Sequence, residues 1–66
     1  MMNETRYLVV GGMAAVKVRN HKLLSYGTTV LIKKMHGNTI TVVPLVDDKA
    51  YFVDANILHN NLMPYF

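Results

Sequence analysis

Residues 27–44 read GTTVLIKKMHGNTITVVP, and the way this stretch pairs with itself decides the fold. It holds two runs rich in Val, Ile and Thr around His36-Gly37-Asn38. β-Branched residues suit a pleated surface, and a Gly-Asn pair suits a tight reversal. The reading is therefore a hairpin, with strands over Thr28–Met35 and Thr39–Leu45. A two-residue turn would set Ile32 opposite Val43 and Lys33 opposite Val42, mixing charge with apolar groups on one face. A three-residue His-Gly-Asn turn sets Ile32 opposite Val42 and Lys33 opposite Thr41. The inner face then holds Val30, Ile32, Ile40 and Val42, and the outer face Thr29, Lys33, Thr39 and Thr41. One buried face fixes register, so the three-residue turn is expected, with Asn38 left-handed. Lys34 would fall on the inner face near the tip, where its ammonium could reach water.

Upstream, Tyr7–Asn20 reads YLVVGGMAAVKVRN. It predicts one strand over Thr5–Val10, a Gly11-Gly12 break, and a second strand over Met13–Arg19. Val16 and Val18 alternate there with Ala15, Lys17 and Arg19, placing core on one face and charge on the other. Leu23 and Leu24 lie in a 20–27 loop that could cover an open barrel end. Downstream, Pro44 cannot donate to a ladder and marks an edge or a bend. Asp47-Asp48-Lys49 then predicts a turn into a short strand over Ala50–Val53. Asp54 suits the N-cap of one helical turn over Ala55–His59, and Asn60-Asn61 lead to an extended Leu62–Phe66.

Five or six short strands with one helical turn before the last describe a mainly β chain. GTTVLIKKMHGNTITVVP followed by AYFVDANIL resembles, in pattern, a small SH3-like barrel. An OB-like or swapped-hairpin arrangement accommodates the same elements.

Composition bounds the rest. Sixty-six residues make one domain over 1–66, with no cysteine to staple it by disulfide or metal thiolate. Of these residues 52% are apolar and 17% charged, more apolar surface than so small a core can hide. A homo-oligomer or a subunit of a complex is expected, with Leu62, Met63, Tyr65 and Phe66 as the interface. The longest apolar block, Tyr7–Val16, is half the roughly 20 residues that a membrane helix requires. A cytoplasmic location is expected. An export signal is disfavoured by Glu4 ahead of Arg6, which spoils the positive leader.

Three kinds of chemistry are excluded by spacing. A dinucleotide site needs G-x-G-x-x-G opening a helix, whereas Gly11-Gly12 precede a β-prone run and no acid follows before Asp47. His21, His36 and His59 are 15 and 23 residues apart, match no metal-ligand motif, and fall at loops. Asp47-Asp48 diverge in a turn, and Ser25 has no base at a recognisable spacing. A barrel of this size also lacks room for a pocket of roughly 300 Å³ or more, except at a subunit interface. A non-enzymatic chain without cofactor or metal is expected.

Charge is the feature that remains. The net charge is +3, yet no Asp or Glu occurs from Thr5 to Val46, a stretch holding Arg6, Lys17, Arg19, Lys22, Lys33 and Lys34. Such asymmetry points to a polyanion or an acidic protein surface as partner. Lys17, Arg19, Lys22, Lys33 and Lys34 are the candidate nucleic-acid contacts, with the Thr-rich hairpin face supplying hydroxyl donors. Tyr7, Tyr26, Tyr51 and Phe52 could stack on bases but form no stacking motif. The expected function is nucleic-acid backbone binding by an accessory or regulatory protein. The alternative is an adaptor or inhibitor, of a kind that phages and mobile elements encode, docking by an apolar face or strand edge.

Overall fold

Residues 8–64 are described in a computed structural model of the chain. Their order is β1 (Met13–Val16), β2 (Thr29–His36), β3 (Thr39–Pro44), a 3₁₀ turn (Lys49–Tyr51), β4 (Ala55–Leu58), a second 3₁₀ turn (His59–Asn61) and β5 (Leu62–Pro64). The five strands form one antiparallel sheet in the order β4-β3-β2-β1-β5. β4 and β5 end the sheet without pairing to each other, so it is not closed. Among the described residues there is no α-helix.

The central hairpin keeps the expected faces by a different device. Its tip is a two-residue Gly37-Asn38 turn, with His36 opposite Thr39. Gly37 carries a φ of +61° and no non-glycine residue has a positive φ among those described. A reversal with glycine first is the type II′ arrangement that follows strand twist, so Asn38 is not the left-handed residue. Continued straight, this register would place Lys33 opposite Val42. A bulge between Ile32 and Lys34 prevents it: Lys34 pairs with Thr41, Ile32 with Val42, and Lys33 is the extra residue. Beyond the bulge Met35 packs against the core and Lys34 is exposed, which corrects the inward placement of Lys34. Val30, Ile32, Ile40 and Val42 are 0–1% exposed, as the two-face reading requires.

The flanks depart further from the sequence reading. Of the strand expected over Thr5–Val10, residues 5–7 lie outside the described residues and 8–10 are not strand. Instead the Gly12 N–H donates to the Val9 carbonyl at 2.9 Å, closing a turn in which Gly11 has a φ of +88°. Leu8 still reaches the core. The strand expected over Met13–Arg19 stops at Val16, one residue before the Lys17 N–H makes a last in-register bond to the Asn61 carbonyl at 2.9 Å. The alternation survives beyond it: Val16 and Val18 pack on the core while Lys17 and Arg19 are exposed.

The predicted strand over Ala50–Val53 is instead the first 3₁₀ turn and an extended exit. The Ala50 N–H donates to Asp48 Oδ1 at 2.9 Å, capping the turn. Tyr51, Phe52 and Val53 are all exposed, so their β propensity has no ladder to join. The helical turn predicted over Ala55–His59 is β4 up to Leu58, and a 3₁₀ turn begins only at His59. Ala55 and Ile57 point inward and Asn56 and Leu58 outward, a period of two that lays the segment along β3. Pairing that edge gains a ladder and two buried side chains, whereas one isolated helical turn is unfavourable. Asp54 therefore caps no helix. Pro44 ends β3 beyond the reach of β4, whose partners stop at Val42, so its missing N–H leaves no donor unmet on that side.

The core is a single cluster from every strand, Ala14 and Val16, Val30 and Ile32, Ile40 and Val42, Ala55 and Ile57, and Leu62, plugged by Leu24 from the loop. Leu24 is 3% exposed and Leu23 65%, so only one of the two leucines is buried.

Candidate functional site

The candidate cations start far apart along the ladder. Lys17 follows the end of β1, where Ala15 faces Thr29. Lys33 and Lys34 lie past Leu31, which faces Met13 at the other end of β1. Sheet pairing alone would leave two separate groups.

The 17–28 loop changes this by folding onto β4. The His21 Nε2–H donates to the Asn56 carbonyl at 2.8 Å, and Nδ1 accepts the Leu23 and Leu24 N–H groups at 3.0 and 3.2 Å. This set of partners assigns the neutral Nε2–H tautomer. Why Asn56 is available follows from register. The His59 N–H bonds the Asn38 carbonyl, so in an antiparallel ladder Ile57 turns its backbone toward β3 while Asn56 and Leu58 turn theirs to the open edge. The ring closes part of that edge, a common way of blunting an exposed strand.

Asn56 also links sideways. Thr41 Oγ1 donates to Asn56 Oδ1 at 2.9 Å, and Thr41 sits opposite Lys34. A row therefore crosses the sheet from Lys33 and Lys34 through Thr41 and Asn56 to His21 and Lys22. The bulge sets two lysines against one threonine, one of them, Lys33, answered by Asp54. Between the loop and the β4 edge runs a groove of about 500 Å³, whose lining includes Asn20, His21, Lys22, Asn56 and Asn61 and no acid.

The remaining candidates are placed unequally. Arg19 stacks its guanidinium 4.1 Å from the Tyr26 ring centroid, which orients the side chain and leaves its N–H edges available. Lys33 Nζ lies 3.3 Å from Asp54 Oδ1, both side chains about half exposed, so the pair adds little stability and is open to competition. Among the described residues Lys17, Lys22 and Lys34 are exposed and make no ion pair. Of the expected interface, Leu62 is buried in the core, Met63 is exposed opposite Ala15, and Tyr65 and Phe66 lie outside the described residues.

Asn56 and the structural role of His21 had no signal in the sequence, since their contact spans 35 positions. The domain also has more room than its length suggested. A second groove, of about 440 Å³, lies beside the 45–54 segment. No group of three or more His, Cys, Asp or Glu side chains among the described residues could hold a metal ion. No described helix is long and apolar enough to cross a membrane.

No protein-family model matches the chain, and no curated protein or solved structure matches it.

Proposed function

We propose that the chain is a non-catalytic module, SH3-like in plan, that binds the backbone of a nucleic acid. The plan is supported by the return of β5 to β1 and by the 3₁₀ turn just before it. The observation that carries the function is the His21–Asn56–Thr41 chain of hydrogen bonds, which joins the cation-bearing loop to the cation-bearing bulge. Lysine ammoniums, amide side chains and a hydroxyl along this row are the donors that phosphate contacts use, and the groove at its His21 end is lined without an acid. Nothing in the row reads base edges, so affinity rests on counterion release and falls steeply with salt.

Fluorescence polarisation with short single-stranded DNA and RNA tests this. Binding is expected at about 50 mM salt and to be largely lost at about 200 mM, with a log–log slope near −3 if about four phosphates are neutralised. Lys22→Glu and Lys34→Glu should each weaken binding and flatten the slope by about one unit, while Lys49→Glu, outside the row, should not. Absence of binding at the lower salt overturns the proposal.

A further inference from the structure

The second groove is as apolar as the first, and its one charged lining residue is an acid. Its floor is Leu24, Pro44 and Ala55, all buried, and its walls carry Leu23, Val46, Tyr51 and Val53, which are 65, 38, 65 and 52% exposed. Exposed apolar side chains scattered singly are ordinary, but four around one concavity mark a binding surface. Asp48 stands in the lining with Oδ1 fixed by the Ala50 N–H at 2.9 Å, a cap that orients the carboxylate and leaves Oδ2 without a hydrogen bond among the described residues. The described acids are Asp47, Asp48 and Asp54, all in the one segment that frames this groove, and Asp54 is engaged by Lys33. Asp48 is thus the one charged residue lining this groove and gives its rim a negative charge, on a chain whose other groove is lined without an acid.

We infer that this groove binds an extended segment of a partner protein presenting an apolar side chain beside a lysine or arginine. The apolar residue enters between Leu23, Tyr51 and Val53, where burial removes wall and ligand from water together. The cation meets the pre-oriented Asp48 carboxylate and the face of Tyr51, a pair of groups that favours a positive charge over a neutral one. Like-charge repulsion at the same rim excludes a phosphate backbone or an acidic peptide. The two grooves share Leu23 as a lining residue, but the charged residues that each reading uses differ, and either can fail without the other.

The test is an NMR titration of the full chain with three Gly/Ser-flanked peptides, identical except for Leu-Arg, Leu-Gln or Leu-Glu at the centre. The expected result is shift changes confined to amides of residues 23–28 and 45–54. The Leu-Arg peptide should bind about tenfold more tightly than the Leu-Glu peptide. Asp48→Asn should abolish that preference without unfolding the turn, because asparagine caps as well as aspartate. Tyr51→Ala should weaken all three peptides, and neither variant should alter binding of nucleic acid. Equal affinity for the three peptides, an unaltered preference in Asp48→Asn, no binding, or shifts centred on Lys22 and Asn56 would overturn the inference. So would concentration-dependent shifts at the same amides without peptide, which would assign the groove to a second copy of the chain.

Discussion

His21 uses both ring nitrogens at once, one on a carbonyl of β4 and the other on two N–H groups of its own loop. Removing the ring leaves the part-buried Leu24 N–H without its acceptor and frees the loop that carries Lys22. His21→Ala should therefore cost about 1–3 kcal/mol, read from urea denaturation, with faster amide exchange at Leu23 and Leu24 than in the parent. A loss below a few tenths of a kcal/mol would show that the ring only decorates the edge. The sequence contains no trace of this role: an isolated histidine in a polar loop is the ordinary surface case, and its partner is remote in the chain. Lys17, Arg19, Lys22, Lys33 and Lys34 were legible as candidates because charge can be counted along a chain, whereas their grouping depends on one side-chain contact.

At the scale of elements, the Lys33-Lys34 pair resolves a conflict between two local rules. Glycine favours a two-residue reversal, while burial demands Ile32 opposite Val42; one extra residue in β2 satisfies both. A chain with a single lysine in place of this pair should form a regular ladder with every inner residue still inward. Its stability is expected to stay within about 1 kcal/mol of the parent, since only an exposed ion pair and one unpaired residue are lost. Deleting Met35 instead brings Lys34 opposite Ile40 on the inner face and should destabilise strongly. An Ile32–Val42 cross-strand NOE, kept in the first variant, checks the register; its disappearance would contradict the account. Pattern reading identified both hairpin strands within a residue or so, because alternation over 29–42 is strong. It erred at Ala50–Val53 and Ala55–Leu58 because both are short, and a short segment takes its structure from whichever edge is left to pair.

For the molecule as a whole, a single small core carries the stability. Ile32, Ile40, Val16, Val30 and Val42 are its largest fully buried side chains. A chain of this length is expected to have about 3–10 kcal/mol of stability in all, and truncating one buried isoleucine removes about 2–5 kcal/mol. Ile40→Ala should consequently leave the protein largely unfolded or barely folded at 37 °C, by far-UV circular dichroism and denaturant titration. Leu23→Ala, at an exposed position, should hardly change it. An Ile40→Ala variant of unaltered midpoint would mean that the sheet draws its stability from another source, such as self-association.

The amino-acid sequence by itself determined that the chain is mainly β, which residues of the central hairpin are buried, where glycine permits reversal, and that its positive charge is concentrated before Asp47. These follow from backbone preference and from the period of apolar residues, both local properties. Only the tertiary structure decided that the hairpin is bulged, that β4 rather than a helix lies along β3, and that a histidine brings two groups of cations onto one row. It alone produced two apolar grooves, one lined by Lys22 and the other by Asp48. Each of these depends on which surfaces meet across tens of residues, where the free energy of closing a ladder or filling a core outweighs local propensity.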